Sequence, residues 1–290
     1  MIPTPVALPA AGAPTRPVPP LLWGTQSLKT GSQASMPWLW HGYLAPRSLT
    51  LFTSQWKSGK TTLLSVLLAK LKTGGELAGL PLAAARAVVV SEEPRELWEL
   101  RSRRLDFGDH IGWFCRPFAG KPSPAEWLGL VEYISRLGPE RGVTLAVIDP
   151  LAAFLPARSE NDASSVLEAL APLQRLTTAG MAVLVMHHPR KQNTAPGQAS
   201  RGSGALLGHA DILIEMRACP NAPDDDRRRR LHASSRYDET PRERLIELTA
   251  DGTDYLSLGT FEEGEFTAHW QILQRELLPS GRQIDRRRLP

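Results

Sequence analysis

Short, continuously apolar runs alternate along this chain with longer segments in which apolar residues recur every three or four positions. A strand buried on both faces of a sheet gives the first pattern, and a helix with one buried face gives the second. Alternating strands and helices of this kind predict an α/β fold, with a mostly parallel twisted sheet covered by helices on both faces. Strands are predicted at residues 49–53, 87–90, 143–148, 182–186, 211–215 and 245–248, and helices at residues 61–71, 95–105, 125–137 and 163–178.

The two ends of the chain and two internal segments depart from this pattern. Prolines crowd the start of the 290-residue chain, so residues 1–35 are predicted to be a flexible, proline-rich leader. Residues 36–260 are predicted to form one folded domain, followed by a helix and a basic tail at residues 261–290. Residues 189–203 and 220–230 are rich in Pro, Asn, Gly and charge, and are expected to be mobile surface segments.

Composition excludes several classes of protein. Hydrophobic residues make up 42% of the chain and charged residues 22%, which excludes wholesale disorder. No apolar run approaches the roughly 20 residues of a membrane-spanning helix, and the N-terminus lacks a secretory-signal pattern. Two cysteines cannot build a disulfide framework. We therefore expect a cytoplasmic protein without a membrane partner.

Net charge is only a weak indication of a polyanionic partner. The formal net charge is +4 and the isoelectric point is about 9.3. The arginines at residues 227–230 follow three aspartates, which predicts a solvated, nearly self-neutralising loop or hairpin. The arginines at residues 286–288 form a cleaner basic patch that could contact a phosphate backbone.

The strongest motif lies at residues 54–61, Ser-Gln-Trp-Lys-Ser-Gly-Lys-Thr, between the first predicted strand and the first predicted helix. It matches the phosphate-binding pattern G-x-x-x-x-G-K-[ST], except that Ser54 replaces the first glycine. In such a loop, backbone N–H groups at a helix N-terminus bind phosphate, and the helix dipole favours the bound anion. The candidate nucleotide-binding residues are Ser54, Lys57, Ser58, Gly59, Lys60, Thr61 and Thr62.

The chemistry of this loop gives several of its residues expected roles. Gly59 lets the backbone approach the phosphates, Lys60 neutralises the β- and γ-phosphates, and Thr61 offers its hydroxyl to Mg²⁺. Ser54 requires that the backbone at the first loop position avoid a positive φ angle. The alternative is a turn that only caps a helix, which the strand–loop–helix context disfavours. ATP and Mg²⁺ are therefore the expected ligands.

Carboxylates follow two other predicted strands. Asp149 ends the run that begins at residue 143 and is the candidate Mg²⁺ carboxylate, although an aspartate before a proline can also be only a cap. Glu92 and Glu93 follow the strand at residues 87–90, where α/β folds place their ligands. They are candidates for the base that polarises the attacking water, and Glu92 is favoured. Both could instead be solvated acids that open the next helix.

The order of these parts resembles that of the RecA-like ATPases over roughly residues 38–258, in particular the RepA-type hexameric helicases and related plasmid and phage AAA ATPases. Residues 91–94, Ser-Glu-Glu-Pro, resemble the family's Ala-Glu-Asp-Pro setting of the catalytic glutamate, with Glu92 in its position. RecA-like circadian-clock ATPases carry a Glu-Glu pair there, which keeps Glu93 as a candidate. Residues 148–162 contain an Asp-Pro segment and a Glu-Asn-Asp stretch similar to those of the family.

Two further residues take their expected roles from the resemblance alone. Residues 183–191 resemble a His-His-x-x-Lys version of the strand end that senses the γ-phosphate, which implies that His188 is a polar sensor. Residues 231–237 resemble the strand that reaches the neighbouring subunit's ATP site, which implies that Arg236 is an arginine finger. Ser234 stands where a lysine is usual in that strand.

The resemblance implies an ATPase domain at residues 36–260 that hydrolyses ATP with Mg²⁺. It also implies single- or double-stranded DNA as a partner, and further copies of the chain in a ring or filament. The expected task is that of a helicase-like or replication/recombination accessory motor. The alternatives are a regulatory ATPase of the clock-protein type and a nucleotide-dependent assembly protein without DNA translocation.

Overall fold

A computed structural model of the chain describes residues 36–55, 58–156, 163–188, 204–220, 222–223, 225–264, 266–267 and 270. Several predicted segments lie outside the described residues, so their predictions stand as such. They are the leader at residues 1–35, the segment at residues 189–203, most of the C-terminal helix and tail, and the basic patch at residues 286–288.

The described residues fold into alternating strands and helices. The strands are β1 (Leu49–Ser54), β2 (Gly75–Leu77), β3 (Leu80–Leu82), β4 (Arg86–Ser91), β5 (Ile111–Cys115), β6 (Val143–Asp149), β7 (Ala182–His187), β8 (Ile212–Ala218), β9 (Arg228–Ser235), β10 (Glu243–Leu248) and β11 (Tyr255–Ser257). The helices include α1 (Lys60–Lys70), α2 (Arg95–Ser102), α3 (Pro124–Arg141), α4 (Leu151–Phe154), α5 (Ala163–Leu170), α6 (Gln174–Thr178) and α7 (Gly204–His209). None of the helices in the described part of the chain is long and apolar enough to cross a membrane.

Nine strands form one sheet in the order β11-β10-β9-β8-β1-β7-β6-β4-β5, and β2 and β3 pair as a separate hairpin. From β8 to β5 every neighbouring pair is parallel. Strands β9, β10 and β11 extend the sheet beyond β8 as antiparallel neighbours. The predicted α/β fold with a mostly parallel sheet is therefore confirmed. Because β1 lies between β7 and β8, the loop that follows it begins at a central strand of the sheet and not at an outer one.

Helices cover both faces of the sheet, as the sequence predicts. Side chains alternate along a strand, so Leu51 and Phe52 of β1 point to opposite faces. Leu51 belongs to a buried cluster that includes Val131 of α3. Phe52 lines a small apolar cavity together with Leu63 and Leu67 of α1. All six residues of β1 are buried, which explains why its sequence is apolar without alternation.

The sequence around α3 fixes both ends of that helix. The Ser123 hydroxyl accepts a 3.3 Å hydrogen bond from the backbone N–H of Glu126, and the Glu126 carboxylate accepts a 2.8 Å bond from the backbone N–H of Ser123. This reciprocal capping box marks the start of the helix. Gly142 ends it in a left-handed conformation with φ of 67°. β6 begins at the next residue, which places Asp149 at its far end.

The continuous helix predicted at residues 163–178 is wrong. Helix α5 ends at Leu170, a 3₁₀ turn occupies Ala171–Leu173, and α6 begins at Gln174. Pro172 lies in this turn. Proline has no N–H to donate, and its ring clashes with the carbonyl four residues earlier, so the α-helical hydrogen bonding stops there.

Of the two forms predicted for the arginine run, a loop or a hairpin, the hairpin is confirmed, because β8 and β9 are consecutive antiparallel strands, whereas the solvated loop is wrong. Residues 228–230 are the first three residues of β9, are partly buried and pair with β8 and β10. Carboxylates of β10 and of the preceding turn compensate the charges of this run. The ion pairs are Arg227–Glu247, Arg228–Asp226 and Arg230–Glu243.

Candidate nucleotide-binding site

Four neighbouring strands carry predicted site residues at their carboxyl ends. The loop at residues 54–61 follows β1, His188 follows β7, Asp149 ends β6 and Glu92 follows β4. The carboxyl ends of parallel strands lie at one edge of a sheet, where α/β folds bind their ligands. The strand order β1-β7-β6-β4 therefore brings these four features together.

The phosphate-binding loop leaves β1 without a glycine at its first position. Ser54 is the last residue of β1, is 1% exposed and pairs with Met216 of β8. Among the described non-glycine residues, positive φ angles occur at Arg47, Ala78 and Arg116. Ser54 thus has a backbone conformation that any L-residue adopts. A glycine is dispensable here because this position belongs to the strand.

Gly59 is the turning point of the loop. It caps the start of α1 with φ of 92°, a left-handed conformation that would strain any other L-residue. The Ser58 hydroxyl donates a 2.7 Å hydrogen bond to the carbonyl oxygen of Gln55, which ties the two arms of the loop together. The N-terminus of α1 therefore opens at the sheet edge, where an anion complements the helix dipole. Thr62 is exposed in the first turn of α1, and Lys57 lies outside the described residues.

Lys60 is a buried cation without an ion pair among the described residues. It is 4% exposed, and its Nζ donates to the His187 carbonyl oxygen at 3.2 Å and to His188 Nε2 at 3.2 Å. Burial lowers the pKa of Lys60 to about 8, and the carboxylates of Asp149 and Glu92 oppose part of that shift. The two hydrogen bonds of the ammonium go to neutral acceptors, and a phosphate would supply an anion in direct contact with it.

Asp149 presents a carboxylate at the same edge. It is 5% exposed, and its carboxylate makes no hydrogen bond or ion pair with the described residues. Burial raises the pKa of Asp149 to about 6, and Lys60 opposes the shift. Thr61, half-buried, lies in the first turn of α1. A carboxylate and a hydroxyl are hard oxygen ligands of the kind that Mg²⁺ prefers, so the donors at this edge fit a magnesium ion.

The two adjacent glutamates differ in their partners. Glu93 forms a bidentate ion pair with Arg101 of α2, with one N–O distance of 2.9 Å. The carboxylate of Glu92 makes no hydrogen bond or ion pair with the described residues. Partial burial and the neighbouring Glu93 raise the pKa of Glu92, while Lys60 and Arg116 lower it. Glu92 is therefore free to accept a hydrogen bond from a bound water, whereas both oxygens of Glu93 are engaged.

His188 contacts Lys60. The ammonium of Lys60 can only donate, so Nε2 of His188 accepts the hydrogen bond and carries no proton there. Partial burial and the charge of Lys60 lower the pKa of His188. Burial also lowers the pKa of the neighbouring His187 to about 4. Both imidazoles are therefore neutral at pH 7, and Lys60 supplies the positive charge at this point of the site.

Sequence reasoning missed Arg229, which reaches the loop from β9. Its Nε donates a 2.6 Å hydrogen bond to the carbonyl oxygen of Ser58. Its Nη1 donates to the carbonyl oxygens of Asp226 and Arg228, each at 2.6 Å. Unlike the other arginines of its run, Arg229 thus bonds carbonyls and leaves its charge uncompensated beside the loop. No local pattern reveals this contact, because it joins residues 171 positions apart.

Arg236 lies at the opposite edge of the sheet. Its backbone N–H donates to the carbonyl oxygen of Asp211 at 3.2 Å, and the Asp211 carboxylate accepts from the N–H of Leu49, the first residue of β1. The Arg236 side chain is 71% exposed, and its Nη1 lies 3.3 Å from the Asp211 carboxylate. Arg236 is therefore remote from its own chain's loop, and the arginine-finger role that the resemblance implies requires a neighbouring chain.

A strand, a loop that ends in Gly-Lys-Thr and a helix, set at the carboxyl edge of a mostly parallel sheet, define a P-loop NTPase. A family model described as an AAA domain matches residues 14–194, which is more than half of the chain. The chain belongs to this family of AAA-type P-loop ATPases. No curated protein matches the chain. The matched range includes the loop, Glu92, Asp149 and His188, and ends before β9.

Proposed function

We propose that the protein is a DNA-linked ATPase motor with a RecA-like core at residues 36–260, helicase-like or accessory to replication or recombination, and cytoplasmic. Lys60 carries the ATPase part of the proposal, because it is a buried cation that makes no ion pair with the described residues and lies near the carboxylates expected to hold Mg²⁺ and water. The resemblance of residues 91–94 and 183–191 to RepA-type helicases supports the link to DNA.

In the proposed mechanism, the phosphates of ATP bind against the loop and the first turn of α1. Backbone N–H groups and the Lys60 ammonium donate to the phosphate oxygens, and the phosphate provides the charge that balances the buried lysine. Thr61 and Asp149 would hold Mg²⁺, which when bound neutralises negative charge on the β- and γ-phosphates.

Three residues then act on the water and the transferred phosphoryl group. The free carboxylate of Glu92 accepts a hydrogen bond from the attacking water and orients it. His188 exchanges its hydrogen bond with Lys60 as the ammonium turns to the phosphate, and so responds to the presence of the γ-phosphate. Arg236 stabilises the charge that develops at the site of a neighbouring chain in a ring or filament.

Turnover with and without DNA tests the link to DNA. We expect single-stranded DNA to raise kcat several-fold at low salt, and the stimulation to fall as salt increases, because phosphate contacts release counter-ions. The native mass with ATP and Mg²⁺ should be a multiple of the 31.9 kDa chain mass. Hydrolysis that neither single- nor double-stranded DNA stimulates would favour a regulatory ATPase of the clock-protein type. ATP binding without turnover would favour an assembly protein.

Replacing Arg229 tests whether β9 contributes to the nucleotide site. Arg229→Gln should weaken ATP binding about tenfold, equivalent to about 1.4 kcal/mol, because the loop loses a charge-assisted hydrogen bond at Ser58. Isothermal titration with ATP and Mg²⁺ measures the change. Arg227→Gln is the matched control, since Arg227 pairs with Glu247 at 3.4 Å on the surface of the same run. Equal affinities of the two variants would exclude Arg229 from nucleotide binding.

A further inference from the structure

The segment that follows β4 is anchored on the side of Glu93 by a salt bridge to α2. The Arg101 fork binds both oxygens of the Glu93 carboxylate, and the two side chains are 25% and 26% exposed. The Arg101 guanidinium also lies 4.6 Å above the ring of Trp98, which is 3% exposed. A planar guanidinium can bind both oxygens of a carboxylate and stack on an aromatic ring at the same time, whereas an ammonium cannot. This arrangement therefore requires arginine rather than lysine.

A second set of bonds joins this anchor to the end of β4. The fully buried hydroxyl of Ser91 accepts a 3.1 Å hydrogen bond from the backbone N–H of Glu93 and a 3.0 Å bond from Trp98 Nε1. The Ser91 hydroxyl therefore joins the end of β4 to the segment at residues 92–94 and to α2. Glu93 is held through both its backbone and its side chain, and Glu92 lies between these fixed points.

Arg116 holds the same segment from the side of β5. Its backbone N–H donates to the Ser91 carbonyl oxygen at 2.8 Å, and its Nε donates to the Glu92 carbonyl oxygen at 3.1 Å. Arg116 has a φ of 51°, a left-handed conformation that non-glycine residues seldom adopt. The Glu92 backbone N–H donates to the Asp149 carbonyl oxygen at 3.0 Å. Both backbone polar groups of Glu92 are thus bonded, while its carboxylate is free.

We propose that Arg101 and Arg116 are positioning residues that hold the peptide on either side of Glu92, and that Glu93 is the anchor of this two-arginine clamp and not a second base. The inference rests on the proposed function, because it assumes that Glu92 orients the attacking water. The clamp holds the Glu92 backbone in one place, so the point from which its side chain extends is set before ATP binds. Since a misplacement of about 1 Å at a reacting group can cost 100-fold in rate, such a clamp acts on kcat.

Steady-state hydrolysis of ATP by full-length variants tests the clamp. Arg101→Ala should lower kcat about 10- to 100-fold and leave KM for ATP within about threefold, because the phosphate-binding loop is untouched. Arg101→Lys should restore only part of kcat. Arg95→Ala is the matched control on the same helix, since Arg95 pairs with Glu99 on an exposed face, and it should match the wild type.

A charge reversal separates an anchor from a base. Glu93→Arg and Arg101→Glu should each lower kcat, and the double variant should recover at least about tenfold over either single variant, because the salt bridge forms again. A catalytic Glu93 predicts the opposite: the double variant stays inactive, and Glu93→Gln loses as much activity as Glu92→Gln. That result would overturn the inference.

Arg116→Gly provides a test that does not threaten folding. Glycine adopts the left-handed conformation without strain, so the substitution removes the bond from Nε to the Glu92 carbonyl and the charge that lowers the pKa of Glu92. The pH profile of kcat separates the two effects, because a lost charge shifts the profile and lost positioning lowers its plateau. We expect an unchanged or higher Tm and a kcat lowered several-fold at constant KM. This variant decides the question if Arg101→Ala does not fold. If hydrolysis depends on Glu92 and both Arg116→Gly and Arg101→Lys have the wild-type kcat, the clamp is rejected and the proposed function stands. If hydrolysis does not depend on Glu92, the proposed function is rejected.

Discussion

Lys60→Ala is expected to weaken ATP binding about 100-fold, equivalent to about 2.8 kcal/mol, and to reduce hydrolysis to background. The ammonium is buried, and it is held by a carbonyl oxygen and a neutral imidazole. A bound phosphate therefore meets a positive charge that water screens little. Removal of that charge leaves the phosphates to the backbone N–H groups and the helix dipole alone. Isothermal titration with ATP and Mg²⁺ gives the affinity, and a coupled phosphate assay gives the rate.

The same substitution should not destabilise the protein without nucleotide. Burial lowers the pKa of Lys60 in the folded chain to about 8, below its ordinary value of 10.5, so the charged form is disfavoured there. Burial outweighs the attraction of Asp149 and Glu92, so deleting this charge removes a net cost at pH 7. We expect an unchanged or higher Tm without ATP, and no rise in Tm when ATP is added. Lys70→Ala, at the other end of α1 and paired with Asp254, is the matched control and should bind ATP normally. Wild-type affinity in Lys60→Ala would refute the nucleotide site.

Glu92→Gln is expected to lower kcat about 1000-fold while ATP binding is retained or tightened. Glutamine keeps the size of the side chain but cannot take up a proton from water, and general-base groups contribute about 10²- to 10⁴-fold. The loss of a negative charge near the phosphates removes a repulsion, which favours binding. Single-turnover hydrolysis separates the chemical step from release of product.

A nearby acid provides the control for Glu92. Glu96→Gln removes an acid from the first turn of α2, within the same stretch of sequence. We expect this variant to hydrolyse ATP at the wild-type rate. If Glu92→Gln also does so, Glu92 is not the base, and the water must be oriented by another group.

The parallel half of the sheet could be predicted from sequence because burial there is two-sided. The run predicted as a strand at residues 143–148 is β6, and the run at residues 182–186 is β7, each correct within one residue at its end. Strands covered on both faces cannot alternate with polar residues, so they are visible without any partner. The end of helix α5 could not be predicted in this way, because the apolar spacing continues through the 3₁₀ turn that contains Pro172.

The antiparallel half could not be predicted in the same way. Strand β9 begins with three arginines, which by composition indicate a solvated segment. They become a strand because β8 and β10 offer hydrogen bonds on both sides, and because β10 supplies the carboxylates of Glu243 and Glu247. These partners are fixed by the register of the sheet, which only the folded chain defines.

The candidate site divides along the same line. The loop, Asp149 and the pair of glutamates follow apolar runs, so the predicted parallel sheet places them at one edge. The choice between Glu92 and Glu93 stayed open in the sequence, because what distinguishes them is the contact of Glu93 with Arg101 on the next helix. Arg229 was invisible for the same reason, since its contact depends on strand pairing over a long sequence distance.

Strand β9 carries a cation at each end. Arg229 bonds the loop of its own chain, and Arg236, just past the other end, is exposed at the far edge of the sheet. Seven steps of extended chain separate the two residues, which corresponds to about 23 Å. Strand β9 is hydrogen-bonded to β8 on one side and to β10 on the other, which restrains it along its length. In a ring in which Arg236 meets the neighbour's nucleotide, each β9 strand would contact two consecutive ATP sites. A displacement of the loop in one site would then be passed along the strand to the neighbouring site.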